Sequence, residues 1–306
     1  MSGTAARAVA QAKINLFLRV LAREADGYHQ IETLFCRLEL GDMVTVRITD
    51  GKRSLDCAGE FLPAGGLGAV ERNLAWRAAE AFAAVAGWPR GFAIEVDKRV
   101  PVGGGLGGGS ADAGAVLRLL NALAPRPLSP DRLQEIAAPL GADVPFATSE
   151  HALALGWGRG ERLDALTPLP PRPCWLFCFG EGVSTAEAYR WLDESRAGNP
   201  ERHRSRAVAL SISMWAQVAR LAANDFEAVL VPRRARIGEV LASLRQPALR
   251  ARWGEGTIAL ISGSGSTVFC LPETVVRGET PVALHPGERI LSTRTAMRVA
   301  PVEWLE

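Results

Sequence analysis

The chain has 306 residues, 48% of them hydrophobic and 22% charged, with 35 basic against 33 acidic side chains and a net charge of +2. That length can bury a sizeable core in two domains, and the interleaved charges offer no basic block to a nucleic acid. No apolar run approaches the ~18 residues of a membrane span, and the N-terminal MSGTAARAVAQAKIN lacks the apolar core of a secretory leader, so a cytoplasmic protein without nucleic-acid or membrane partners is expected.

Taken in chain order, β-like segments come first. Residues 9–21, 31–40 and 43–48 carry β-branched and apolar side chains between Gly and Asp turn signals. A helix is expected over 72–85, a strand over 92–96, a helix from near Ser110 to Leu123, another opened by Ser129-Pro130, and a strand over 151–156. The proline cluster TPLPPRP at 167–173 is the best domain boundary, dividing the chain into 1–168 and 169–306. Beyond it the pattern reads as a strand at 174–179, helices at 186–192, 207–221, 225–230 and 236–244, and strands at 257–261 and 267–271. Residues 272–306 give only a weak strand-like pattern. The five cysteines form no C-x-x-C pair, and Cys174 and Cys178 lie in the apolar run CWLFCF, so buried reduced thiols are expected. His151, His203 and His285 are scattered without metal-ligand spacing.

The densest signal is PVGGGLGGGSADAGAVL, Pro101 to Leu117, with six glycines in seven positions running straight into an alanine-rich helical pattern. Glycine allows main-chain N–H groups to turn toward a ligand, and a helix start adds unpaired N–H donors and the positive end of a dipole. A phosphate chain is the expected guest. Gly103, Gly105 and Gly108 also satisfy the dinucleotide pattern G-x-G-x-x-G, but the loop is not in a first βαβ unit, and Asp131, the acid at ribose-binding distance, is explained by a helix-start signal. The Walker pattern fails because no Gly-Lys-Ser/Thr follows.

Shorter segments carry further chemistry, each with a plainer alternative. In AKINLFLRV, Lys13 and Asn15 stand two apart on one face of a strand, which is either a polar working face or an ordinary exposed edge. ADGYH sets Tyr28 and His29 at the exit of an Asp-Gly turn, either for a ligand or as a simple hairpin. In GADVPF, Asp143 precedes a proline suited to a first helical turn, where it serves chemistry or caps the helix. SGSGST, Ser262 to Thr267, is a second glycine turn between apolar strands, equally readable as a tight hairpin.

The order AKIN, ADGYH, PVGGGLGGGSADA, GADVPF, GVSTAEAY, NDFE and SGSGST, collinear over roughly residues 9 to 271, resembles the GHMP kinase superfamily, and most closely its kinases of 4-diphosphocytidyl-2-C-methyl-D-erythritol. The resemblance implies an α/β (α+β) fold with an N-terminal domain like domain 2 of ribosomal protein S5, a C-terminal ferredoxin-like domain, and an active site between them. It implies ATP with Mg2+ as cofactors and phosphorylation of the 2-hydroxyl of that cytidyl-diphosphate small molecule in the non-mevalonate isoprenoid pathway; it leaves the oligomeric state open. Lys13 and Asp143 fall on the family's catalytic lysine and aspartate, and Asn15 on a substrate contact. Tyr28 and His29 are implied as readers of the cytosine ring, with Tyr189 stacking on its opposite face and Thr185 nearby. Asn73 and Lys98 match positions on the adenine side. Pro101, Gly103, Gly104, Gly105, Leu106, Gly107, Gly108, Gly109 and Ser110 are implied to enclose the triphosphate, with Ser110 the hydroxyl for phosphate or metal, while Gly263 and Gly265 approach from the second domain.

Physical chemistry accommodates this assignment. Phosphoryl transfer runs through a loose transition state in which positioning and charge neutralisation dominate. Asp143 would take the proton of the acceptor alcohol, and Lys13 within ~4 Å would attract it by about 4 kcal/mol at an effective dielectric of 20, before desolvation. Two departures from the family pattern stand out: Asp112 occupies a position where many relatives carry an amide, and ETVVRGETPVALHPGERI after Leu271 lacks the helical period that usually follows. A sister kinase for homoserine, mevalonate or a sugar would keep the glycine loop without needing Tyr28 and Tyr189. A nucleotide-binding oxidoreductase or a non-catalytic nucleotide sensor is the more distant alternative.

Overall fold

A computed structural model describes residues 4–180, 182–196, 212–274 and 282–306. Two long antiparallel strands, β1 (Ala5–Arg23) and β2 (His29–Thr49), joined by the ADGYH turn, form the spine of the first sheet. They are followed by β3 (Arg53–Ala58), α1 (Leu74–Ala86), β4 (Gly91–Asp97), α2 (Gly108–Leu123), α3 (Pro130–Ala137), α4 (Val144–Thr148), β5 (Leu153–Gly158) and β6 (Arg162–Ala165). The second half contributes β7 (Pro173–Cys178), α5 (Thr185–Arg196), α6 (Trp215–Leu221), α7 (Glu227–Leu230), α8 (Ala235–Leu244), α9 (Pro247–Trp253), β8 (Ile258–Ile261), β9 (Val268–Leu271), β10 (Arg289–Arg294) and β11 (Glu303–Leu305). Of the helix expected at 207–221, residues 207–211 lie outside the described residues, 212–214 are not helical, Met214 being an extended N-cap, and α6 covers the rest.

The first sheet has the order β11-β1-β2-β4-β3, with β5 pairing to β2 and β6 to β5; β3 and β4 are parallel across α1. The second is antiparallel, β10-β7-β9-β8. The proline cluster lies between the two sheets, and the chain crosses back at its far end, where β11 pairs with β1 through Ala5–Leu305 and Arg7–Glu303. The segment after Leu271 supplies a strand, β10, in place of a helix; residues 275–281 lie outside the described residues.

Alternation along the strands explains how these sheets stack. In β7 and β9, Leu176, Phe269 and Leu271 point into a core shared with Ile14 and Leu16 of β1 and Leu34 and Leu38 of β2. Their neighbours Phe177, Val268 and Cys270 point the other way, onto Leu192, Val229, Val240 and Leu241 of the second domain's helices. The first sheet's outer face carries α1, α2 and α3 through Ala6, Val44, Phe92 and Ile94 against Ala78, Phe82, Leu117 and Ile136. Burying a side chain such as Phe82 contributes ~1.5–3 kcal/mol. All five cysteines are free thiols, four of them buried.

β2 runs unbroken through Gly41-Asp42, which the sequence marks as a turn. A side chain at Gly41 would collide with the carbonyl of Ala10, so the glycine serves close packing of β1 where the pairing shifts register between Gln11 and Lys13. The outer edge of β8 is covered by side chains: Asn224 donates to the Ile261 carbonyl, Glu227 accepts from the Ile261 amide, and Arg245 donates to Ala259.

Candidate active site

Lys13 leaves the middle of β1 on the same side as Asn15, as period-two alternation requires. Its ammonium lies 2.8 Å from Asn15 Oδ1 and 3.3 Å from Asp143 Oδ2. Asn15 donates to Thr33 Oγ1 on β2, and that hydroxyl donates to the Phe17 carbonyl, so Lys13 rests on a chain of oriented dipoles. Asp143 occupies the N-cap position of α4, but its carboxylate accepts no capping hydrogen bond. It is 30% exposed while Lys13 is nearly enclosed. The carboxylate is thus held by the lysine and open to the cleft.

The glycine loop lies directly over this pair. A Cβ at Gly107 would press on the Lys13 stem and come 3.6 Å from Asp143 Oδ2, and the Lys13 amide donates to the Leu106 carbonyl at 2.9 Å. Gly103, Gly105 and Gly107 have φ between 71° and 78°, backbone that L side chains rarely adopt, and α2 begins at Gly108, two residues before the expected Ser110. The second glycine turn closes on the first. Ser262 Oγ donates to the Gly105 carbonyl at 3.0 Å, the Thr267 amide donates to Gly104 at 3.1 Å, and a Cβ at Gly263 would sit 3.2 Å from Lys13 Nζ. Asn224 of the NDFE segment fixes this turn by donating to the Gly263 carbonyl. Gly265 also lines this side, its carbonyl 2.9 Å from where a Cβ at Gly105 would lie, while a Cβ of its own would meet Leu230 and Ile261.

Two contiguous clefts result. One, of about 530 Å³, is walled by the glycine loop, Asn73, Lys98, Lys13 and Asp143; the other, of about 1650 Å³, holds Tyr28, His29 and Asp193. Ile31, Ala142, Arg159, Thr185 and Tyr189 line both. Thr185 Oγ1 is hydrogen-bonded to Ser264 of the second glycine turn.

Within the clefts some expected residues are placed differently. Lys98 is buried, and its ammonium is engaged by Asp42 and, at 2.7 Å, by Asp112, rather than turned outward. Burial lowers the pKa of that ammonium, but Asp112 and Asp42 overcome this and leave it raised. Asp42 also accepts from the Arg99 and Val100 amides at 2.5 and 2.7 Å, so this cluster anchors the start of the glycine loop to the first turns of α2. Asn73 caps α1 by accepting from the Ala75 amide. Tyr28 and Tyr189 do not face one another as an open sandwich. Tyr28 is 60% exposed with the Arg159 guanidinium 4.1 Å above its ring, while Tyr189 stacks on His29 at 4.5 Å and meets Phe226 edge-on. Burial, with the Asp143 and Asp193 carboxylates, raises the Tyr189 phenol. His29 Nε2 is hydrogen-bonded to Asp193 at 2.7 Å. Asp131, the acid considered for a ribose, lies in the first turn of α3 behind the Ser129 cap.

Arg159, Asp42, Asn224 and Asp193 are absent from the sequence-derived site. Arg159 lies in the turn GWGRGER, where a charged residue between glycines was the only local sign of it.

Residues 73–151 match the model of the GHMP kinases N terminal domain. A 4-diphosphocytidyl-2-C-methyl-D-erythritol kinase of Pelotomaculum thermopropionicum is 38% identical over 94% of this chain and 97% of its own length, and one of Syntrophotalea carbinolica is 37% identical over 96% and 97%. A crystal structure of 4-(cytidine 5'-diphospho)-2C-methyl-D-erythritol kinase aligns with a TM-score of 0.69 and 31% identity, over 94% of this chain and 98% of that one. A homoserine kinase of Cytophaga hutchinsonii shares the fold alone, with a TM-score of 0.62 at 14% identity. The paired glycine turns, the Lys13–Asp143 contact and this full-length similarity place the chain in the 4-diphosphocytidyl-2-C-methyl-D-erythritol kinase family, with the two-domain GHMP kinase fold.

Proposed function

We propose that this protein transfers the terminal phosphoryl group of ATP to the 2-hydroxyl of 4-diphosphocytidyl-2-C-methyl-D-erythritol, in the cytoplasm, as a step of isoprenoid biosynthesis. The observation that carries the site assignment is the Lys13–Asp143 contact, 3.3 Å, beneath Gly107 in the wall of the smaller cleft. The glycine loop and the start of α2 suit a nucleotide's phosphates, since glycine backbone and unpaired helix N–H groups both favour an anion. Ser110, in the first turn of α2 and lining the cleft, is the hydroxyl that would touch magnesium carried in on the triphosphate. When bound, MgATP supplies the phosphoryl group and neutralises part of its charge.

The chain's own residues do the rest. Asp143, unburdened by capping, accepts the proton of the alcohol as it attacks; general-base help of this kind contributes ~10²–10⁴ in rate. Lys13 orients that carboxylate and offsets negative charge on the transferring group. The larger cleft takes the cytidyl-diphosphate moiety. Tyr28, His29 and Tyr189 supply the faces for the base, and Arg159, which lines both clefts, is paired with Glu24 and Asp26 and would meet the diphosphate only by exchanging those carboxylates for it. For cytosine to insert between Tyr28 and Tyr189, His29 and Arg159 must leave the rings they now cover.

Substrate-dependent ADP release tests the reading. Turnover is expected with the cytidyl-diphosphate alcohol, with the product phosphorylated at the 2-hydroxyl, and not with mevalonate or homoserine; the reverse pattern would overturn the substrate assignment.

A further inference from the structure

Arg37 is a charged residue in the middle of an apolar strand, 2% exposed, and no part of the site described above uses it. It stands opposite Lys13 in the β1–β2 register, so the two cationic side chains leave the sheet on the same face. Both reach α4, at opposite ends. Lys13 meets Asp143 before the first residue of the helix. Arg37 Nη2 donates to the carbonyls of Phe146, Ala147 and Ser149 at 2.6, 3.1 and 2.8 Å, and its Nε donates to His151 at 2.9 Å. The guanidinium also lies 4.7 Å over the Phe146 ring, which stacks in turn on Phe35.

A helix leaves its last four carbonyls without internal partners, and in a helix of five residues those are most of the carbonyls it has. Here they are buried, away from water, and the guanidinium reaches Phe146 and Ala147 within the helix and Ser149 at its C-cap through Nη2, with Nε adding His151, a spread that an ammonium, a single point, does not span. At the other end Asp143 makes no capping hydrogen bond, and the helix start is tied by the Val144 amide to the Gly141 carbonyl and by Gln134 Nε2 to the Pro145 carbonyl. The place of the Asp143 carboxylate therefore follows from where α4 is seated, roughly 8 Å along the axis from the Arg37 grip. Gly114 of α2 allows the close approach of Ala147 that completes the seat.

We propose that Arg37 is a positioning residue for the phosphoryl-transfer step, holding the C-terminal end of α4 so that Asp143 meets Lys13 and the acceptor alcohol. The inference rests on the reading of Asp143 as proton acceptor. Misplacement of a reacting group by about 1 Å costs on the order of 10² in rate, so the expected effect lies in kcat.

The test is a double-mutant cycle in the full-length protein, with folding checked by circular dichroism and nucleotide binding by calorimetry. Arg37→Gln is expected to lower kcat ~10–100-fold with both KM values within about threefold, and Arg37→Lys to lower it less, as charge without the planar fork restores only part of the grip. In an Asp143→Asn background, itself slow, Arg37→Gln is expected to cost little more, since both changes remove one function; a merely structural role would give additive losses. Independent losses, or folded Arg37 variants with wild-type kcat beside a slow Asp143→Asn, would overturn the positioning role alone. Near-normal kcat in Asp143→Asn would remove the underlying reading and this inference with it. If Arg37→Gln does not fold, Arg37→Lys decides by the same split between kcat and KM.

Discussion

Two buried lysines flank the glycine loop and are treated in opposite ways. Lys98, 2% exposed, is surrounded by the carboxylates of Asp42 and Asp112, both as deeply enclosed as itself. Lys13, 6% exposed, has one carboxylate, at 3.3 Å, and that carboxylate faces the cleft. A cation saturated by buried acids has no field left to offer a ligand and holds the loop in place. A cation with one half-open partner keeps both itself and that partner available for reaction. The difference in partners, rather than in burial, separates a clamp from a working group.

Removing the working cation should break the contrast most sharply. Lys13→Met is expected to lower kcat ~10²–10³-fold or more, while the unfolding free energy shifts by only about 1 kcal/mol, because the carboxylate left behind reaches solvent. Steady-state kinetics beside urea titration would show this, and a large stability loss with intact turnover would reverse the assignment. Lys98→Met should do the opposite. Leaving the enclosed Asp42–Asp112 pair without its cation is expected to destabilise the fold by about 3–5 kcal/mol in the same titration. An unchanged midpoint would mean that Lys98 is no clamp.

The smallest effect sharpens the comparison through pH. Burial, opposed by Lys98 and aided by Asp42, pushes the Asp112 carboxyl from its ordinary 3.8 up to about 7. Within that window the folded protein holds a proton that the unfolded chain has released, so stability falls as pH rises from about 4 to about 7. Asp112→Asn removes the slope. The variant should gain on the wild type, by on the order of 1 kcal/mol, as denaturation is followed from pH 5 to pH 8. A constant difference across that range would place the titration elsewhere.

How much of this was legible follows from the range of the signals. Lys13 and Asn15 share a face because strand alternation is local, and the glycine loop announces itself by composition. Asp143 was legible as either a cap or a reactive group; the absent capping bond separates the two. Gly41-Asp42 misled because a glycine needed for close strand packing looks the same in sequence as one needed for a turn. Asp42 then passed as a turn residue although it anchors Arg99 and Val100, more than fifty positions away. Arg37 and Asp193 carry no local pattern, since their partners come from distant segments. The aromatic residues of the larger cleft were readable as a set; their pairing was not, because it is decided by Arg159 and His29. β11 was legible only as part of the weak strand-like pattern over 272–306, since three residues carry no turn or period to frame them.

The seam between the two glycine turns turns one main-chain group into an internal gauge. The Thr267 amide, belonging to the second domain, is donated to the Gly104 carbonyl of the first. Its exchange with deuterated solvent would register separation of the domains and loosening of the phosphate loop as a single event. An opening that parts this bond also leaves the Gly104 carbonyl of the loop without its partner.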